Sequence, residues 1–533
     1  MMLTLRRSVS ALVAWLRAEE PDLAVGLLAV VAALAAAAIC LPSGYERNGL
    51  HVPAIAAWGI MGLGVGLAAL AALRPWPGLL AWIVFMPFFT AARIGVMVGW
   101  VQVTSTTVIL ATLVVSLLLG FRRTRPAAPR VPLALGGLIA LLAVASTAAS
   151  WDLWTGVSIT LHGILEPVVI AILIVLLRPG LRQLLALAAA MSVSVALAGV
   201  VNLGRMAFLV HSASDFETLR GELARITYYN VGLFGTVLVT VLPLLAIIIA
   251  RPSLLAGTLD RAAATLVTMT GRTARARGTA AEPSARSTTR AETAVRVAGW
   301  AMFAFALLMI DLTFSKSAWI AGLVLGIAMA ALMPRTWRRR AAGFGGVVLV
   351  TLAFLLTSVV TASPSSDRAD SFDPNSTQGE ISITGRYLAT EAALHMAIDH
   401  PLFGVGPGQF GAEYAGPYHN AQAKEALQSA HDMVPEVAAE YGLPLAIVFS
   451  VTVLAALLVA WKRWRAGAGL AGLVALGFGL SLAGFMVVAT LYGTDLYRAY
   501  RYMNTDLLYL GLILGAIAVL ATRDEPPQAT SGD

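Results

Sequence analysis

The chain has 533 residues, of which 58% are hydrophobic and only 12% charged, with a formal net charge of +8. Soluble domains carry about 25% charged residues, and apolar runs of about 20 residues recur here along the whole length. That excludes an ordinary soluble fold and indicates a polytopic helical membrane protein. The positive charge sits in clusters between the apolar runs, so it is a topology signal and not a nucleic-acid footprint. The single cysteine, Cys40, excludes an intrachain disulfide and a cysteine zinc site. Lysine is confined to Lys316, Lys424 and Lys462, and with so much Ala, Gly and Val the arginine bias suggests a GC-rich bacterial genome.

Apolar spans are expected near 22–42, 53–73, 78–92, 101–120, 131–149, 158–177, 183–204, 229–250, 296–312, 317–334, 342–361, 437–460, 468–490 and 505–522. The third is short, because Arg93 interrupts it. The expected fold class is all-α, a bundle of about 12–14 transmembrane spans with one large extracytoplasmic loop. No small-residue cleavage site follows Arg6, Arg7 and Arg17, so the first run is expected to be a span and not a signal peptide.

With the N-terminus placed in the cytoplasm, 26 of the 37 lysines and arginines fall inside and 11 outside. The inside clusters are Arg122–Arg130, Arg178 with Arg182, the segment 251–296, Arg335–Arg340 and Lys462–Arg465. The positive-inside rule then puts both termini in the cytoplasm and favours an even number of spans. Three regions follow: 1–361, a transmembrane bundle carrying a basic cytoplasmic linker at 251–296; 362–436, an extracytoplasmic loop; and 437–533, the C-terminal helices and cytoplasmic tail. The linker is rich in Ala, Arg and Thr without apolar periodicity and reads as flexible.

The loop carries four of the seven histidines, His395, His400, His419 and His431. It opens on a polar stretch in which Asp367, Asp370 and Asp373 form a solvated acidic turn and not an EF-hand. A helix is expected over 386–398, capped by Thr384 or Gly385, with Leu388, Ala392 and Met396 as an apolar stripe suited to the membrane surface. His395 reads as a surface residue. His400-Pro401 ends the helix. Gly404, Gly406 and Gly408 then make a turn, read equally as chain reversal and as backbone that approaches a ligand. It is not a P-loop, since no Gly-Lys-Ser/Thr follows.

In the segment 429–444, Asp432 can cap the next helix and Pro435 fits its first turn. His431 would stand at that helix N-terminus, a place that favours a neutral imidazole and a nearby phosphate. In this topology Arg225, Lys316, Arg386 and His431 face the same side, and a basic cluster there suits a lipid-anchored pyrophosphate. In the span at 158–177, His162 and Glu166 share a face; Glu166 is read as neutralising an arginine in preference to coupling protons, and Asp311 has the same two readings.

These residues resemble the O-antigen ligase and O-antigen polymerase family of bacterial membrane glycosyltransferases. The resemblance rests on Arg386 opening a short helix, on the run His400 to Phe410, on His431-Asp432, and on Glu440-Tyr441-Gly442-Leu443, in that order. Thr313 to Trp319 resembles a further family motif, with Lys316 where arginine is usual, and Arg225 matches an arginine before a mid-chain span. Asp432 replaces the usual asparagine after the histidine. The matching segment is roughly 225–444; the first 200 residues match only as a string of spans.

The resemblance implies a GT-C-like bundle in the bacterial cytoplasmic membrane. It implies a donor glycan on a polyprenyl pyrophosphate such as undecaprenyl pyrophosphate, and a glycan, lipid or protein acceptor, in polysaccharide and cell-envelope biosynthesis. His431 and Arg386 are the expected catalytic residues. Arg225, Lys316, Arg386, Gly406 and Gly408 are expected to bind donor pyrophosphate, with Glu440 and Asp432 supporting; Glu440 is read equally as orienting His431 and as packing its helix. No cofactor and no metal are expected, since no Asp-x-Asp motif occurs. A ligase and a polymerase extending lipid-linked repeats both fit. A flippase or transporter fits less well, because no internal repeat is evident and the polar residues gather at one face.

Overall fold

A computed structural model describes residues 45–46, 49–50, 74–91, 95–98, 101–120, 129–209, 227–228, 231–253, 255–256, 285–313, 315–332, 384–423, 427–467, 469–493 and 505–523. The spans expected at 22–42, 53–73 and 342–361 lie outside them, as do Cys40, Arg225, Lys424 and the acidic stretch at 367–373. Each of the other eleven expected spans corresponds to a helix, so the chain is a polytopic helical membrane protein.

In chain order the helices are α1 (Pro75–Ala91), α2 (Ser105–Gly120), α3 (Arg130–Ala149), α4 (Leu153–Leu177), α5 (Leu181–Leu209), α6 (Val231–Ala250), α7 (Ala285–Thr313) and α8 (Lys316–Leu332). After the loop begins come α9 (Gly385–Asp399), α10 (Phe410–Ala415) and α11 (Met433–Tyr441). The last three are α12 (Leu443–Ala466), α13 (Leu470–Tyr492) and α14 (Thr505–Ala521). Seven segments are long and apolar enough to cross a membrane: α3, α4, 181–204 of α5, 232–250 of α6, 290–313 of α7, α12 and α13. Shorter apolar helices lie in α1, α2, α8 and α14. Two small antiparallel hairpins accompany them, β1 (Tyr45–Glu46) with β2 (Gly49–Leu50) and β3 (Gly95–Val98) with β4 (Val101–Thr104).

The centre of the bundle is α6, almost wholly buried, packed against α5, α7, α8 and α13. Small residues let these helices approach: a Cβ at Gly477 would lie 1.7 Å from Ile247 Cδ1, and one at Gly235 would lie 2.9 Å from Ala318 Cβ. On the other side α14 packs along the second half of α4. There Gly511 rests on Pro167, where an added Cβ would come within 2.3 Å of the carbonyl oxygen. By contrast α3 and α12 leave most of their surface outside the bundle, and the residues on that surface are apolar.

The structure departs from the sequence expectation at several boundaries. Residues 101–104 form a strand and not the head of a span: Val101 pairs with Val98 and Val103 with Val96 of β3. The span at 158–177 starts earlier, at Leu153, where Asp152 accepts from the Thr155 amide at 3.2 Å. The end of the basic linker is helical from Ala285, with helix-forming Ala and Arg continuing into α7. The span expected at 437–460 is two helices: Gly442, at φ 89°, breaks the chain after α11, and α12 starts at Leu443 with Pro444 in its first turn.

Glu166 also differs from expectation. Its described partners are the Thr107 hydroxyl, donating at 2.6 Å, and His162 Nδ1 at 3.2 Å, and not an arginine. Residues 161–165 take a π-helical turn between the two.

Replacing Gly511 by leucine should cost about 1–3 kcal/mol, because α4 and α14 have no room to part. Leucine at Gly137, which has nothing within 4 Å of a built Cβ, should leave the unfolding temperature in detergent micelles close to wild type.

Candidate functional site

The loop packs as a small unit with a core of its own. Leu388, Ala389, Ala392, Ala393 and Met396 of α9 are buried with Phe410 and Tyr414 of α10 and with Ala439 of α11. The stripe expected to lie on the membrane surface therefore faces inward, against α11. Thr384 precedes α9 with helical backbone and its side chain makes no cap. His395 and His400 are exposed, and His419 leans on Tyr414 with ring centroids 6.0 Å apart.

The glycine turn closes onto the end of α11. The Val405 amide donates to the Ala439 carbonyl at 2.8 Å and the Gly406 amide to the Glu440 carbonyl at 3.1 Å. Gly404 has φ 68°, and a Cβ there would lie 2.4 Å from the Glu440 carbonyl carbon, so only glycine fits. Gly406 and Gly408, also at positive φ, are buried against Ser150 and Ile159 of the bundle. Their described contacts are thus with protein.

Glu440 is fully buried inside this turn. Its Oε1 accepts from the Phe410 amide at 3.3 Å, and the Gly408 amide also bonds the carboxylate. Burial pushes its carboxyl up from 4.5 to about 7, with those two amides pulling it partly back. Its described contacts lead to the glycine turn and not to His431, which fits the packing role and not the orienting one. The acid that does reach the segment of His431 is Glu436. Its Oε2 accepts from the Ser429 hydroxyl at 2.9 Å, and Ser429 Oγ in turn accepts from the His431 amide at 3.1 Å.

His431 itself sits one residue before the helix cap, at φ 57°, a left-handed backbone rarely adopted by a residue with a side chain. Asp432 is the cap: its Oδ1 accepts from the Val434 amide at 3.3 Å. Burial raises the Asp432 carboxyl, and the Val434 amide opposes that. Three contacts hold His431 in its conformation: Ser429 below its amide, Gly493 against its Cα, and the α13 terminus on its ring. The Thr390 hydroxyl fixes the preceding residue by donating to the Ala430 carbonyl at 3.0 Å.

The end of α13 joins the two residues of greatest interest. His431 Nδ1 lies 2.8 Å from the Tyr492 carbonyl oxygen, and the rings meet edge-on at 6.1 Å. Arg386 Nη1 donates to the Leu491 carbonyl at 3.3 Å, and its guanidinium lies 5.8 Å from the Tyr492 ring centre. A carbonyl only accepts, so Nδ1 carries the proton. In the neutral ring Nε2 is then the basic nitrogen. The last carbonyls of a helix lack intrahelical partners and form its negative end, which is why a cation and an imidazole N–H settle there.

Lys316 starts α8 at the same end. Gly232, in the first turn of α6, lies directly against the Tyr492 ring, and one turn on Gly235 lies against Ser315 and Ala318. Arg225 lies outside the described residues. The structure thus gathers Arg386 and His431 on α13 and brings the head of α8 alongside. Among the described residues no group of three or more His, Cys, Asp and Glu comes together.

The sequence reading missed Tyr492, Glu436 and Ser429. A signal for the first existed: Gly493, directly after an apolar run, is a helix C-terminal cap, and the carbonyls before it seek donors.

The Glu440 carboxyl gives a sign to pH dependence. The folded state holds its proton to about 7 whereas the ordinary value is 4.5, so stability from this group is full below 4.5 and is lost as pH rises through about 7. The loss is roughly 3 kcal/mol. Thermal unfolding of wild type should weaken across that window, and Glu440→Gln, which keeps an acceptor for both amides, should flatten the profile.

No curated protein matched the chain. Residues 301–450, which include Lys316, Arg386, the glycine turn, His431 and Glu440, match the family model described as O-antigen ligase.

Proposed function

We propose that the protein is a glycosyltransferase of the cytoplasmic membrane that moves a glycan from a polyprenyl-pyrophosphate carrier to an acceptor hydroxyl at the outer face. The carrying observation is the shared anchorage of His431 and Arg386 on the last turn of α13. It fixes a basic Nε2 and a guanidinium side by side on one rigid element. The family match supports the broader activity.

In this reading His431 Nε2 takes the proton of the acceptor hydroxyl as its oxygen attacks the anomeric carbon. The bond from that carbon to the phosphate oxygen breaks, and the lipid pyrophosphate leaves with the electron pair. Arg386, with Lys316 and Arg225, neutralises the charge that builds on the leaving group. The positive charge comes from side chains, and a divalent metal is not required. Asp432 and Ser429 hold the histidine, while Gly406, Gly408 and Glu440 fix the turn behind it. The N- and C-termini are cytoplasmic in this arrangement.

His431→Ala should lower kcat by about 10²–10⁴ and Arg386→Ala by about 10²–10³, with membrane expression intact. Ser429→Ala, which lets the His431 backbone relax, should cost about 10- to 100-fold in kcat. Full activity in either of the first two variants would overturn the assignment, and strong inhibition by EDTA would overturn the metal-free mechanism. Deletion of the gene decides between ligase and polymerase: long lipid-linked chains beside an unglycosylated acceptor mark a ligase, single repeat units a polymerase.

A further inference from the structure

Helix α9 has two apolar faces, and among the described residues one is packed and the other is exposed. The buried face holds Leu388, Ala392 and Met396. On the other, Tyr387 is 69% exposed, Leu394 49% and Ile398 68%. Positions 387, 394 and 398 fall within about 40° of one another around a helix axis, so they form one stripe. Glu391 lies beside it, half-buried, and the exposed His395 borders it. Beyond the helix the stripe continues through Leu402 and Phe403, 65% and 46% exposed.

The position of Leu402 and Phe403 says what covers this surface. The Phe403 carbonyl accepts from Ser146 Oγ, near the end of α3, at 2.6 Å. The Pro401 carbonyl accepts from the Leu443 amide, the first residue of α12, at 2.8 Å. Both helices are long enough to span a membrane, and their outer faces are apolar, with Leu141 and Val144 on α3 and Leu443, Ile447 and Val451 on α12. The exposed stripe of α9 is therefore continuous with surfaces that face acyl chains. Directly after α3 come Trp151 and Trp154, both exposed, the residue type that settles at the headgroup level.

We infer that α9 is seated in the bilayer interface, with Tyr387, Leu394, Ile398, Leu402 and Phe403 immersed at the acyl–headgroup boundary of the leaflet at this end of the bundle. The partner of this surface is the lipid bilayer itself. Arg386, next to Tyr387 in the chain, and His431, joined to it through Tyr492, then stand at the depth of lipid phosphates. The inference rests on packing and exposure alone and does not depend on the proposed transfer reaction.

Cys40 is the only cysteine, so Cys40→Ser gives a background for single nitroxide labels. The full chain, reconstituted in phosphatidylcholine vesicles, carries a label at Tyr387→Cys, Leu394→Cys, Ile398→Cys or His395→Cys. Collision rates with oxygen, which partitions into lipid, are compared with those of a water-soluble nickel chelate. Oxygen should exceed nickel severalfold at 387, 394 and 398, with the ratio reversed at 395. Nickel access at all four positions would mean a stripe exposed to water and would overturn the inference. Low access to both probes at the stripe would mean a protein cover, a second copy or another partner, and would equally overturn it.

Discussion

The end of one membrane helix organises the whole site. The carbonyls of Leu491 and Tyr492 are the last of α13, and they sit where the bundle meets the loop. Arg386 arrives from α9 and His431 from the segment before α11, and each donates to one of them. The arrangement settles two matters together. It gives the end carbonyls of the helix donors, and it assigns the histidine proton to Nδ1. Because α13 packs on α6, α8, α12 and α14, the candidate site inherits the rigidity of the bundle although both side chains come from the loop.

That arrangement strains the chain, and the strain is answered nearby. A left-handed backbone at His431 is unfavourable for a residue with a Cβ. It is held by Ser429 and Glu436 from one side and by Gly493 from the other, where any larger residue would meet His431 Cα. The glycine turn performs a parallel task on the far side of α11. Gly404 lets the chain lie against the Glu440 backbone, and the buried Glu440 carboxylate receives amides of the turn. The loop is thus tied to α11 at both ends, and α11 leads straight into α12.

Much of the site was legible in the sequence, for physical reasons that act locally. Asp432 before Met433-Val434-Pro435 announces a capped helix, and the structure has that cap. His400-Pro401 announces the end of α9, which closes at Asp399. Where pairing was long-range, local reasoning assigned partners wrongly. Glu440 stands close to His431 in sequence, yet its side chain turns into the glycine loop, while Glu436, one turn earlier on α11, reaches Ser429 in the segment of the histidine. Leu388, Ala392 and Met396 do form a stripe, but periodicity cannot say whether membrane or protein covers it, and here α11 does.

The sequence by itself determined the class of molecule, the order of the apolar helices among the described residues, and the polar segment that carries Arg386 and His431. Those follow from composition, period and charge bias, which depend on neighbouring residues alone. Tertiary structure alone decided which helix end would receive Arg386 and His431, and which proton the imidazole would hold. It also decided which face of α9 would stay apolar and uncovered. Tyr492 lies 61 residues beyond His431 and 106 beyond Arg386 in the chain, so no local pattern couples them. Only the packing of α13 against α6 brings that carbonyl end to the loop.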